Sequence, residues 1–211
     1  MKPLKQIFES REAVFAGFLI ATLGAGCVTP GGGGTELFNG KNLDGWEVTD
    51  FAGGGAIKVK DGEIHMAMGE LISGINLAHE NIPRTNYELE AEAMKLDGND
   101  FFCGLTFPVG DTFASFIPGG WGGTVVGLSS IDGMDAAENE TATFKQFKTH
   151  QWYHFRVRVT PGKIQCWVDD EMVVDLLLED RAIALRAGPI ELSVPIGITS
   201  FQTVTRIRNI R

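Results

Sequence analysis

Between Lys95 and Lys145 the 211-residue chain has no Lys or Arg, yet that stretch carries Asp97, Asp100, Asp111, Asp132, Asp135, Glu138 and Glu140. Carboxylates without counter-charges repel one another. That raises their pKa values and suits acid–base chemistry or a hard cation. The run Asp132-Gly133-Met134-Asp135-Ala136-Ala137-Glu138-Asn139-Glu140 is the densest part, and its spacing does not match a calcium loop. The plainer alternative for it is a polar surface loop. Phe101, Phe102, Phe113, Phe116 and Trp121 lie in the same stretch. Asp111, Asp132, Glu138 and Glu140 are therefore catalytic candidates.

A second set of chemically capable residues lies on one hairpin. Phe155, Val157 and Val159 alternate on one arm, and Ile164, Cys166 and Val168 on the other, about the turn Pro161-Gly162. Pairing about that turn opposes Val159 with Ile164, Val157 with Cys166 and Phe155 with Val168. A one-residue slip would bury charges, so the parity is specified. The opposite face then sets Arg158 against Gln165, Arg156 against Trp167, His154 against Asp169 and Trp152 against Glu171. Exposed indoles stack on the C–H faces of sugars, and charged groups bind hydroxyls. Trp152, Trp167, Arg156 and Asp169, with Trp121 of the base-free stretch, are candidate sugar-binding residues. His154 joins the candidate bases. The rival is a solvated sheet face with cross-strand ion pairs and Arg156 lying over Trp167.

Positioning such residues requires strands. Short alternating runs recur between Asn39-Gly40, Asp44-Gly45, Asp61-Gly62, Asp97-Gly98, Asp132-Gly133 and Pro161-Gly162. Candidate strands are 56–60, 62–68, 71–77, 86–96, 101–107, 113–117, 123–129, 151–160, 163–169, 171–178, 189–199 and 203–210. This punctuation predicts an all-β sandwich or jelly roll. Residues 87–93 contain helix formers, but their period of two favours a strand with Glu88, Glu90 and Glu92 toward solvent. Cys103 and Cys166 fall on apolar faces and read as buried thiols, with a disulfide as the alternative.

The first 27 residues read as an address. Lys2, Lys5 and Arg11 precede an uncharged run, Ala13 to Gly26, too short to span a bilayer as a helix. Cys27 follows small residues and resembles the lipidated Cys of bacterial lipoproteins. Residues 28–35 then form a Gly-rich tether, and 36–211 the working domain in a bacterial cell envelope, lipid-anchored or periplasmic. The membrane would be met only through the N-terminal lipid. The chain's net charge is −9. Without Lys2, Lys5, Arg11, Glu9 and Glu12 it becomes −10. That excludes a nucleic-acid binder, which needs a basic surface.

Glu36-Leu37-Phe38-Asn39-Gly40-Lys41-Asn42-Leu43-Asp44-Gly45-Trp46 resembles the start of the 3-keto-disaccharide hydrolase family. Val59-Lys60-Asp61-Gly62-Glu63-Ile64, Asn86-Tyr87-Glu88-Leu89, Gly98-Asn99-Asp100-Phe101, Gln151-Trp152-Tyr153 and Arg208-Asn209-Ile210 follow in the family's order. The resemblance implies a concanavalin-like jelly-roll sandwich and cleavage of 3-keto-glycosides by elimination and hydration. On that resemblance a divalent metal ion would polarise the ketone, and Asn99 would join the substrate contacts. The partner expected is an oligosaccharide or keto-glycoside. Two departures stand out. Gly127 occupies the place of a Glu common in the family, and Thr199-Ser200-Phe201-Gln202 lacks the family's His. A non-catalytic, lectin-like envelope module is the alternative, and a structural envelope protein a third.

Overall fold

The computed structural model describes residues 34–211, so the address and Cys27 lie outside the described residues. Gly34–Arg211 is one compact unit of two seven-stranded antiparallel sheets. The front sheet has β1 (Trp46–Val48), β4 (Ile72–Leu77), β13 (Gly197–Phe201), β6 (Gly104–Val109), β7 (Thr112–Gly119), β8 (Val125–Ser129) and β9 (Thr143–Phe144), in that spatial order. The back sheet has β12 (Glu171–Leu177), β11 (Lys163–Val168), β10 (Trp152–Thr160), β5 (Tyr87–Gly98), β14 (Thr203–Arg208), β3 (Glu63–Met66) and β2 (Ile57–Lys60). The expected all-β jelly-roll sandwich is the observed architecture.

The alternation in the sequence sets the core. Leu89, Ala91 and Ala93 of β5 turn inward, while Glu88, Glu90 and Glu92 turn out. The 87–93 segment is thus a strand, as its period of two requires. The β10–β11 register opposes Phe155 with Val168, Val157 with Cys166 and Val159 with Ile164. Phe102, Phe116, Phe147, Tyr153 and Phe155 meet edge-on or tilted at ring separations of 5.0–6.5 Å, a favourable aromatic geometry. Cys103 and Cys166 are fully buried free thiols, each with its pKa raised by burial, so the disulfide alternative does not form.

Three local readings change. Residues 189–199 are not one strand, because Pro189–Ser193 is a 3-10 turn and β13 begins only at Gly197. Pro189 and Pro195 lack the N–H a ladder needs, and the Glu191 carboxylate accepts from Gly188 N at the turn's start. The short edge strands β1 and β9 carry too few residues to show a period. Trp152 is not set against Glu171, because Asp169 (φ 55°) turns the chain and Glu171 pairs with Val168. The first and last segments of the described domain meet: Leu37 N and Phe38 N donate to Ile210 O, and Arg211 exchanges both backbone bonds with Glu90.

Candidate functional site

The middle of the front sheet is buried on both faces. Every residue of β6 and β8 is buried, although alternate residues point away from the core. Three segments cover that outward face. The first is Gly119-Gly120-Trp121-Gly122-Gly123, in which Gly119, Gly122 and Gly123 have φ of 84°, 88° and 101°. Trp121 itself has φ 48°, a left-handed conformation an aromatic residue adopts only at a cost of about 1–2 kcal/mol. The Asp100 carboxylate holds this loop by accepting from Gly122 N at 3.3 Å.

The second cover is the acidic run. It folds back over β8, and Ala136 joins Ile117 and Val125 in a small outer cluster against Phe101. Asn139 is its anchor. Its Nδ2 donates to the carbonyls of Leu128 (2.7 Å), Asp135 (2.9 Å) and Met134 (3.1 Å). Its Oδ1 accepts from Thr141 N and Thr141 Oγ1. The missing Glu now has a physical counterpart. A Cβ at Gly127 would stand 3.0 Å from Thr141 Oγ1 and 3.1 Å from Ala136 O, so this loop fills the space a side chain there would need.

The third cover is the strap after β12. Ser130 and Ala184 exchange backbone bonds, and Arg181 binds both Asp132 and Glu140. Between the first cover and the strap lies a cavity of about 310 Å³, within the usual range of small-ligand sites. Phe101, Phe201, Leu71, Ile72 and Ile117 line it from the sheet side, Trp121 from the first cover, and Ala187, Pro189 and Ile190 from the strap. Its polar lining is Ser115, Ser129 and Arg186. Asp135 stands behind two of these. It accepts from Ser129 Oγ at 2.9 Å and faces Arg186 Nε at 3.3 Å, with 21% of its side chain exposed. A guanidinium and a hydroxyl at the wall of an apolar cleft, with a carboxylate behind both, can move a proton beside a stabilised negative charge.

The sequence candidates divide between two faces. Trp121 lies in the cleft. Asp132 is exposed and tied to Arg181, and Ala182 N with that guanidinium holds its carboxyl below the usual range. Glu140 shares Arg181, and Glu138 and Asn99 are exposed. Asp111 is exposed at the β6–β7 turn, the end of β7 away from Trp121.

His154, Arg156, Trp152 and Trp167 lie on the outward face of the back sheet, on the other side of the sandwich. There His154 Nε2 meets Glu90 at 3.3 Å, and Asp169 Oδ1 accepts from His154 N. The indoles are not free platforms. Trp167 is only 9% exposed, under Arg156 at 3.9 Å and Arg158 at 5.3 Å, and Arg208 lies 3.9 Å over Trp152. The residues that sequence reasoning did not single out are Asp135 within the acidic run, Ser129, Ser115, Arg186, Phe101 and Phe201. The Asp135 signal was present in the run, but nothing in its spacing separated it from Asp132.

A family model described as a 3-keto-α-glucoside-1,2-lyase-like domain matches residues 33–211. The chain belongs to that family. It is a family of carbohydrate-active jelly-roll domains, and the resemblance read from residues 36–46 onward is thereby shown. A β-glucanase of Bacillus licheniformis is similar in structure at TM-score 0.53 and 10% identity, over 83% of this chain and 94% of that one. A carbohydrate-binding module of Bacillus subtilis (TM-score 0.50, 14% identity, 79% and 93% covered) is also similar. So is a putative glycosyl hydrolase of Parabacteroides distasonis (0.50, 14%, 82% and 90%). These likenesses show the fold. No curated protein matches the chain.

Proposed function

We propose that this protein cleaves glycosides oxidised at C3, by elimination followed by hydration, in the cleft on the front sheet. The observation that carries the reading is Asp135 standing behind Ser129 and Arg186, the two groups at the cleft wall that it holds. A C3 ketone acidifies the C2–H bond. The Ser129 hydroxyl takes that proton as it passes its own to Asp135, and Arg186 faces the negative charge that develops on the ketone oxygen. The C1–O bond breaks as the C1=C2 bond forms, and the leaving oxygen receives the proton. Water then adds across the double bond.

The cleft's donors do not fit a divalent cation. Among the described residues no three His, Cys, Asp or Glu side chains come together, and Asp135 already faces a guanidinium. The test is turnover of 3-keto-glucosides by the purified protein, read as release of the aglycone. Absence of turnover above buffer would sink the reading.

The lectin-like alternative draws on the blocked Gly127 position. It predicts sugar binding at the same cleft that is unchanged in Asp135→Asn, with no turnover by either protein. The envelope address completes the proposal, with Cys27 as the lipidated residue. Incorporation of labelled palmitate that is lost on Cys27→Ser would support it, and no incorporation would remove it.

A further inference from the structure

We infer that the cleft is built for a glycoside whose aglycone is aromatic, a single sugar ring joined to a phenolic group rather than to a second sugar. The inference rests on the reading above and names its substrate class. Nine of the twelve residues lining the cavity are apolar. The two lining hydroxyls are already engaged, Ser115 with Thr106 at 3.0 Å and Ser129 with Asp135 at 2.9 Å. A second sugar would bring several more hydroxyls against a mostly apolar lining that offers them few partners. One ring can use the polar corner at Ser129 and Arg186. The rest of the cavity offers carbon.

That carbon is largely aromatic. Phe101 and Phe201 lie 5.9 Å apart and tilted by 35°, and Trp121 remains 41% exposed across the same space. Trp121 is held there in a left-handed conformation between flanking glycines, with Asp100 pinning the loop. A costly backbone that keeps a large ring exposed is a reason to look for what the ring meets. A cavity of about 310 Å³ lies at the small end of ligand sites, which suits one sugar with one aromatic ring.

Unoxidised probes test this without requiring turnover. The whole purified protein would be titrated calorimetrically with phenyl glucoside, methyl glucoside and a glucosyl-glucose disaccharide. We expect phenyl glucoside to bind at least tenfold more tightly than the other two. Trp121→Ala should shrink that margin to about twofold without lowering the melting temperature, and Trp121→Phe should restore most of it. Disaccharide binding as tight as that of phenyl glucoside would overturn the inference. So would an unchanged margin in Trp121→Ala, or no binding of phenyl glucoside at millimolar concentration. An aryl preference without turnover of 3-keto-glucosides would leave this assignment standing and sink the elimination reading. Turnover with a disaccharide preference would do the reverse.

Discussion

The two outward faces of this sandwich are built on the same pleat but solve different problems. On the back sheet, charged residues meet across strands: Glu88 with Arg156 and Arg158, Glu90 with His154 and Arg211, and Glu92 with Arg208 and Asn209. The indoles are roofed by guanidinium groups and work as part of that lattice. On the front sheet the outward face is nearly free of charge, and three loop segments cover it and leave a hollow. Charge alternation therefore marks the face that water already satisfies. The face able to take a ligand is the one whose polarity was removed.

The sharpest way to break this comparison is a matched pair of substitutions. Asp135→Asn should lower turnover of 3-keto-glucosides by about 10²–10⁴-fold, the usual contribution of a positioned acid–base group. His154→Gln, on the opposite face, should leave turnover within about twofold. If the two variants lose activity equally, or if His154→Gln alone does, the chemistry is not in the front cleft.

How far the sequence reveals this division follows from the same physics. In the β10–β11 hairpin one face is core and the other solvent, so the register opposing Arg156 with Trp167 could be read residue by residue. The adjacent face looked like a sugar site because it held indoles, cations and carboxylates. Sequence could not show that Arg156, Arg158 and Arg208 occupy the ring faces. In β7 from Ala114 onward and in β8 both faces are buried, so the alternation is lost and the outward residues Ser115, Ile117 and Ser129 are indistinguishable from core. Arg186 is harder still to find. It sits in a strap with no period, and it meets Asp135 across more than fifty residues only through the fold. Gly127 announced a departure from the family's pattern, but only the loop above it explains why a side chain is not accommodated there.

A smaller effect probes how the front face is kept closed. Asn139→Ala would remove the bond that ties the acidic run to Leu128 through that side chain, and those that brace the run internally at Met134 and Asp135. The buried Leu128 carbonyl would lose its side-chain donor, and Thr141 its acceptor. We expect a loss of about 2–3 kcal/mol in chemical denaturation, within the range for leaving buried polar groups unpaired. Binding to the cleft should weaken with it, since Asp135 and Ala136 belong to the same loop. A variant of unchanged stability would show that Ala136 and its neighbours, rather than Asn139, hold the cover in place.

The smallest effect belongs to the back face, and its sign is fixed by its ion pairs. Burial pushes the Glu90 carboxyl up, but the hydrogen bond and charge of Arg211, aided by His154, outweigh burial, so its pKa lies below the usual 4.5. A carboxylate held below its unfolded value stabilises the native state above that value. The contribution fades as pH falls through the lower, folded value. Glu90→Gln removes this term. The variant should be less stable than the parent at neutral pH, and its melting temperature should fall less steeply as pH drops below 4.5. Because Glu92 is held down in the same way by Asn209 and Arg208, after burial's opposing push, the variant keeps part of the acid sensitivity. Turnover at neutral pH should be untouched. A parallel loss of turnover in Glu90→Gln would mean that the two faces communicate through the core, and that the charged lattice does more than keep the back sheet wet.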